Sequence, residues 1–265
     1  MMDIKALSTP VSELSRKAGA AVMEIYQKDF AIYDKSDSSP LTEADLAAHK
    51  ILVEGLEALT PDIPVLSEES NETVKEERMH WNTYWLIDPL DGTKEFIKKN
   101  GEFTINVALI DKGEPILGVV YAPAINTLYC GSKANGAYKQ SNNQAAVPIR
   151  VKAAPQRNTG WKIVGSRSHQ SDEFKAFMEK LPGAEVVAMG SSLKLCLVAE
   201  GSADLYPRLG LTSEWDTAAA HAVVLAAGGL VLNMKNMKPL VYNQNKGTLL
   251  NPHFIVCSSI NDHWS

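Results

Sequence analysis

The sequence predicts an α/β protein of two lobes, and three observations carry that expectation. Helical periodicity dominates the first sixty residues, short apolar runs between turn residues fill residues 65–151, and strand-like and helix-like patterns alternate from about Ala154 to the end. The boundary falls near residue 152, giving a lobe over 1–152 and another over 153–265. A length of 265 residues allows two lobes or one large domain, since domains run roughly 100–200 residues.

Pro10 to Phe30 reads as the first helix. Apolar residues recur at Val11, Leu14, Ala18, Val22 and Ile25, with Ser8 or Thr9 as cap and Pro10 in the first turn. Asp34–Pro40 is polar and punctuated, hence a loop. Thr42 opens a second helix through Leu59, and Thr42-x-x-Asp45 has the form of a capping box. Val65-Leu66 and Tyr84–Ile87 read as strands. Thr104–Ile110 alternates as a strand and returns through the turn at 111–114 to a hairpin partner, Ile116–Tyr121. Gly131, Gly136 and Asn142-Asn143 mark turns among further short strands. In the second lobe, strands are expected at Trp161–Val164, Val186–Ala188, Ala203–Tyr206, Leu230–Leu232 and Phe254–Cys257. Helices are expected at Ser171–Leu181, Ser192–Ala199 and Asp216–Ala227, the last closed by Gly228-Gly229.

The hydrophobic share is 45%, enough for a sizeable core, and the formal net charge is −5, from 26 basic and 31 acidic residues. That balance argues against nonspecific nucleic-acid binding, which needs a basic field. It leaves small anionic substrates open, because a bound cation inverts the local field. Three cysteines, Cys130, Cys196 and Cys257, lack zinc-like spacing and fit reduced thiols in a cytoplasmic chain. The start, Met1-Met2-Asp3-Ile4-Lys5, has no basic and apolar leader pattern, and no apolar run reaches the ~20 residues of a membrane span.

The chemistry concentrates at Asp88-Pro89-Leu90-Asp91-Gly92-Thr93. Two carboxylates, a backbone carbonyl and a hydroxyl leave one strand edge together. Hard cations such as Mg²⁺ take oxygen ligands of this kind, commonly one or two carboxylates plus a substrate phosphate. Gly92 lets backbone approach an anion closely, and Thr93 can open a helix whose free N–H groups favour phosphate. Glu68-Glu69 closes another apolar run, and Trp215-Asp216 begins the last helix. Each has a plainer reading: a Pro-containing turn for 88–91, an exposed acidic turn for 68–69, an N-cap for Asp216 and a capping-box partner for Asp45. Carboxylates brought together with no other role would repel one another, a penalty that divalent metal removes. The P-loop, haloacid-dehalogenase, cysteine-phosphatase and Gly-x-Ser-x-Gly patterns are absent. His221 falls inside the last helix as a core or surface residue.

Glu68-Glu69, Asp88–Thr93 and Trp215-Asp216-Thr-Ala-Ala219 together resemble the signatures of the lithium-sensitive, magnesium-dependent phosphatase superfamily. It contains inositol monophosphatases, fructose-1,6-bisphosphatases and 3′(2′),5′-bisphosphate nucleotidases. The resemblance spans nearly the whole chain and implies a layered α-β-α-β-α sandwich with the site between the lobes. It implies that Glu68, Asp88 and the Leu90 carbonyl hold one Mg²⁺, that Asp88, Asp91 and Asp216 hold a second, and leaves room for a third. Asp45 and Thr93 match positions that orient or deprotonate the attacking water, and the Gly92 and Thr93 amides match positions that meet phosphate. One departure is Ser67 before the acidic pair, where relatives often have Gly.

Gly165-Ser-Arg-Ser-His169, Gly190-Ser-Ser-Leu-Lys194, Leu205-Tyr-Pro-Arg208 and the Lys94-Glu-Phe-Ile97 extension resemble the bisphosphate nucleotidase branch. Inositol monophosphatases typically place a carboxylate near the position of Arg208, whereas Arg suits a second phosphate. This makes Ser191, His169, Lys194 and Arg208 expected substrate contacts and adenosine 3′,5′-bisphosphate the expected substrate. Plainer readings stand beside these: Lys194 snorkelling from a helix, His169 packing or capping, Ser191 starting a helix. The alternatives are an inositol or sugar phosphatase and a catalytically silent nucleotide-binding regulator. A monomer or homodimer is expected. The resemblance also allows peripheral association with the cytoplasmic side of the inner membrane.

Overall fold

The structure is a computed structural model and describes residues 3–28, 32–34, 40–142, 144–165 and 171–265. The chain opens with helix α1 (Ile4–Tyr26), an antiparallel pair β1 (Ile32–Asp34) and β2 (Pro40–Thr42), and helix α2 (Glu43–Leu59). Strand β3 (Val65–Ser67) and the short helix α3 (Glu72–Glu77) lead to the long strand β4 (Thr83–Asp91). After the five-residue helix α4 (Thr93–Ile97) come β5 (Thr104–Asp111), β6 (Glu114–Ala122), β7 (Thr127–Ser132), β8 (Gly136–Ser141) and β9 (Val147–Pro148). Strands β3 to β9 form one seven-stranded sheet in chain order, antiparallel except for the parallel pair β3–β4.

The rest alternates: β10 (Lys162–Gly165), α5 (Asp172–Glu179), β11 (Glu185–Ala188), α6 (Leu193–Ala199), β12 (Leu205–Arg208), α7 (Glu214–Ala226), β13 (Leu230–Asn233) and β14 (Phe254–Cys257). Its five strands pair in the order β11-β10-β12-β14-β13.

Three apolar clusters stack these elements into five layers. Val11, Val22, Leu52 and Leu56 of α1 and α2 pack on Trp85, Ile87, Val107 and Val119, one face of the large sheet. Its other face, with Leu86, Ala108 and Val120, meets Leu195, Ala219 and Val223 of α6 and α7, and the same cluster runs on to Val164, Tyr206 and Val256 of the small sheet. The small sheet's outer face, with Ile163, Leu205 and Ile255, is covered by Phe174 and Phe177 of α5. The order is α-β-α-β-α, as the resemblance implies. Strand β5 is buried on both faces, so its continuous apolar run, rather than alternation, marks it as central.

Several expectations change. Helix α1 starts at Ile4, because Asp3 caps it, its Oδ1 accepting from the amides of Lys5 at 3.0 Å and Ala6 at 3.2 Å. Pro10 therefore sits inside the helix. The carbonyl it deprives of a donor belongs to exposed Ala6, where water can serve it. The helix ends at Tyr26 with Gln27 as cap, and Phe30 lies outside the described residues, as does most of the loop expected at 34–40. Gly131 is no turn: it lies within β7. Asn143 is outside the described residues, while Asn142 has φ 49°, which suits a turn.

Gly131 and Gly118 serve a close helix crossing. A Cβ on Gly118 would fall 2.0 Å from the Ala219 carbonyl oxygen, and one on Gly131 would fall 2.6 Å from Val223 Cα. Helix α7 lies directly against β6 and β7 because neither side offers bulk there; Ala218, Ala219, Ala220 and Ala222 are all buried. Gly118→Val is expected to destabilise the protein by at least about 1–3 kcal/mol through overpacking against backbone. It should also weaken the seating of α7. Thermal unfolding checks this, and an unchanged Tm contradicts the close-approach account.

Candidate active site

Strand β4 delivers the first carboxylates. Its register with β5 runs evenly to Asp88↔Asn106 and then slips before Asp91↔Thr104. Pro89 has no amide to give the ladder, so the strand bulges there. The expected strand-to-turn boundary at Asp88 is thus a bulged strand end, and the turn waits for Gly92 at φ +91°. Asp88 is buried; its Oδ1 accepts from the Leu90 amide at 3.0 Å, while its Oδ2 has no partner. Asp216 comes from α7, as the third helical residue of a capping box rather than the N-cap. Ser213 is the cap, and its amide donates to Asp216 Oδ2 at 2.9 Å. One carboxylate oxygen each from Asp88, Asp91 and Asp216 falls within 4.8 Å of the others. Glu68 follows β3, the parallel neighbour of β4, with its amide on the Ile87 carbonyl at 3.1 Å. It lines a cavity of about 400 Å³ together with Asp88, Leu90, Asp91, Gly92, Thr93 and Asp216.

Burial and repulsion from neighbouring carboxylates raise Asp88 and Asp216. Asp88 is held well above the ordinary carboxylate range, first by desolvation and then by the charges of Glu68, Asp91 and Asp216. Asp216 is pushed up to about 8, again by burial first and then by Asp91. An all-oxygen donor set, a buried carboxylate oxygen without a partner and excess negative charge together fit a hard divalent cation such as Mg²⁺.

Thr93 and Asp45 meet beside this cluster. The Thr93 hydroxyl lies 3.4 Å from Asp45 Oδ1 and 3.3 Å from the Leu90 carbonyl oxygen. Asp45 also closes the capping box of α2, its Oδ2 accepting from the Thr42 amide at 2.8 Å and hydroxyl at 2.6 Å. The capping role and the site-facing role therefore coexist on different oxygens.

Behind Asp91 stands a polar strut that sequence reading missed. Asp91 Oδ2 accepts from the Ser191 hydroxyl at 2.6 Å, the Ser192 amide at 2.6 Å and the Ser192 hydroxyl at 2.9 Å. The Ser192 hydroxyl oxygen also lies 2.5 Å from the Asp216 carbonyl oxygen, sharing its single proton between that oxygen and Asp91, and accepts from Asn106 Nδ2 at 2.8 Å. Thr104 bonds Asn106 at 3.0 Å and meets Ser191 at 2.5 Å. The available signal was Thr104 and Asn106, two buried polar residues at i and i+2 on one face of an otherwise apolar strand. Ser191, expected to touch substrate, lines the cavity but directs its hydroxyl proton to Asp91.

A second cavity of about 200 Å³ adjoins the first and shares Asp91, Gly92, Glu95 and Asp216 with it. Lys194, Tyr206, Arg208 and Thr212 line its far side. Lys194 Nζ lies 5.9 Å from the Tyr206 ring centroid. Arg208 donates to the Leu211 carbonyl at 2.7 Å, leaving its buried Nε without a partner. His169 lies outside the described residues. His221 is a core residue: its Nδ1 meets the Tyr242 hydroxyl at 2.9 Å, and burial lowers the imidazole to about 3. No helix among the described residues is long and apolar enough to cross a membrane.

A five-layer sandwich with clustered carboxylates at its seam is the architecture of a metal-dependent phosphatase. The chain belongs to the inositol monophosphatase family, whose model matches residues 4–263. It is 49% identical over 248 residues to the 3′(2′),5′-bisphosphate nucleotidase CysQ of Escherichia coli O6:H1, covering 93% of this chain and 97% of that one. The CysQ nucleotidase of Haemophilus influenzae is 38% identical over 256 residues, covering 95% and 92%. Among solved structures, CysQ from Bacteroides thetaiotaomicron, described as a bacterial member of this family, superposes with a TM-score of 0.83 at 38% identity over 97% of this chain and 99% of that chain. The inositol monophosphatase of Anabaena shares the fold with a TM-score of 0.73, at 23% identity over 98% and 92%.

The raised carboxylates set a pH dependence. Between the ordinary carboxylate value of 3.8 and about 8, the folded protein keeps a proton on Asp216 that the unfolded chain has released. For the metal-free protein, the contribution from this group is therefore most favourable below that window and declines as pH rises through it. A cation displaces the proton, so Mg²⁺ should stabilise more at pH 8 than at pH 5. At about 100 times its Kd it adds about 2.7 kcal/mol, which thermal unfolding resolves. Equal Tm gains at the two pH values contradict the assignment.

Proposed function

We propose that this chain is a Mg²⁺-dependent phosphomonoesterase that hydrolyses adenosine 3′,5′-bisphosphate to AMP and phosphate. The observation that carries this reading is the pairing of cavities, one lined by carboxylates and the other by Lys194 and Arg208, with a shared wall between them. A cation-binding pocket and a cationic pocket side by side suit one substrate with two phosphates. The relatives named as 3′(2′),5′-bisphosphate nucleotidases support the same substrate class.

Glu68, Asp88 and the Leu90 carbonyl would hold one Mg²⁺, and Asp88, Asp91 and Asp216 a second. Bound there, Mg²⁺ supplies the positive charge that acidifies water and offsets charge on the phosphoryl and leaving oxygens. Thr93, oriented by Asp45 Oδ1, would orient the attacking water and relay its proton. Ser191 and Ser192 hold Asp91 so that one oxygen faces the protein and the other remains for the cavity. The Gly92 and Thr93 amides would meet the scissile phosphate, and Lys194 and Arg208 the other one. The site would work at the seam of two lobes, 1–152 and 153–265, in a cytoplasmic monomer or homodimer that clears a by-product of sulfate activation.

Phosphate release under Mg²⁺, compared for adenosine 3′,5′-bisphosphate, inositol 1-phosphate and fructose 1,6-bisphosphate, tests the reading. Preference for the nucleotide supports it, preference for inositol 1-phosphate replaces it with a monophosphatase, and no release from any leaves a silent binding module. Asp88→Asn is expected to lose more than the roughly 10–100-fold typical of removing an outer-shell partner, with Tm retained or raised; near-normal turnover counts against it. Arg208→Ala should cost roughly 1.5–3 kcal/mol in kcat/KM for the bisphosphate and far less for inositol 1-phosphate. Equal losses remove Arg208 from specificity.

A further inference from the structure

Glu95 is the site residue that neither the cation cluster nor the phosphate pocket uses. It is the third residue of α4 and lines both cavities. Two glycines make room for it. A Cβ on Gly190 would fall 3.0 Å from Glu95 Cγ, and one on Gly92 would fall 3.4 Å from Glu95 Oε2. Its stem is thus confined between the β4 turn and the segment leading into α6. No hydrogen bond or ion pair reaches its carboxylate among the described residues, although it is half-buried.

A carboxylate at this place opposes any ligand carrying two phosphates, unless it accepts a proton donor from that ligand. It stands outside the compact group formed by Asp88, Asp91 and Asp216, the one such group found among the described residues. A phosphate against it would be repelled, which leaves a neutral donor. In a nucleoside 3′,5′-bisphosphate the part between the two phosphates is the ribose, whose free hydroxyl is the 2′-OH, on the carbon next to the scissile ester.

We propose that Glu95 accepts a hydrogen bond from the ribose 2′-hydroxyl and so makes the site selective for ribonucleotides over 2′-deoxyribonucleotides. This rests on the bisphosphate nucleotidase reading above. Glu95 contributes selectivity through the substrate and takes no part in proton transfer. A site that hydrogen-bonds a substrate hydroxyl rejects the analogue lacking it, because the buried acceptor is left unpaired.

The test is kcat/KM for adenosine 3′,5′-bisphosphate and for its 2′-deoxy analogue, measured with the wild-type protein, Glu95→Ala and Glu95→Gln under Mg²⁺. Wild type is expected to favour the ribonucleotide by at least about tenfold. Glu95→Ala should bring the ratio close to one. Glu95→Gln, whose amide oxygen still accepts, should keep most of it. A wild-type ratio of one overturns the hydroxyl contact, and so does a Glu95→Ala protein slowed equally on both substrates, which is the signature of a merely structural role. Failure to turn over either bisphosphate overturns the nucleotidase reading together with this one.

Discussion

Negative charge confined in a buried seam is the constraint on which the rest of the molecule depends. Asp88 is buried and Asp216 half-buried where their charges are poorly solvated, and the neighbouring charges of Glu68 and Asp91 raise the proton affinity of both further. Such an arrangement costs folding energy unless something positive enters, so it marks a site built for a cation rather than for stability. The unpartnered Asp88 Oδ2 makes the same point at the level of one atom. Buried polar atoms in folded proteins are nearly always paired.

The fold keeps these charges in place by ordinary devices applied in series. A proline-induced bulge re-aims the end of β4. Capping boxes at Thr42–Asp45 and Ser213–Asp216 fix the first turns of two helices and place a carboxylate in each. Glycines in β6 and β7 let α7 approach the large sheet closely. The Ser191–Ser192 step then bridges Asp91 to the Asp216 backbone and, through Asn106, back to β5. Each link is a modest hydrogen bond or contact, yet in a buried network the links depend on one another.

Local signals in the sequence matched local structure where short-range physics decides. The capping box at Thr42, the β5–β6 hairpin and the Gly228-Gly229 stop are governed by residues within a few positions. The errors arose where two local signals competed. Pro10 looked like a first-turn residue, but Asp3 offered a better cap seven residues earlier. Gly131 looked like a turn, but the approach of α7 explains it. Within the candidate site, residue types chosen for cation chemistry could be picked out one by one, because oxygen donors beside glycine are rare at the end of an apolar strand. The strut of Thr104, Asn106, Ser191 and Ser192 could not, because its partners lie 86 to 101 residues apart.

Taken alone, the sequence determined the groups on offer: the carboxylates of Glu68, Asp88, Asp91 and Asp216, the Thr93 hydroxyl, and the cationic side chains of Lys194 and Arg208. Only the tertiary structure decided how they combine. It turned one oxygen of Asp91 toward Ser191 and Ser192, a hundred residues further along the chain, left one oxygen of Asp88 unpaired, and set Glu95 between two pockets. These outcomes depend on the packing of two sheets against shared helices, and no local run of residues specifies which distant surface it will meet.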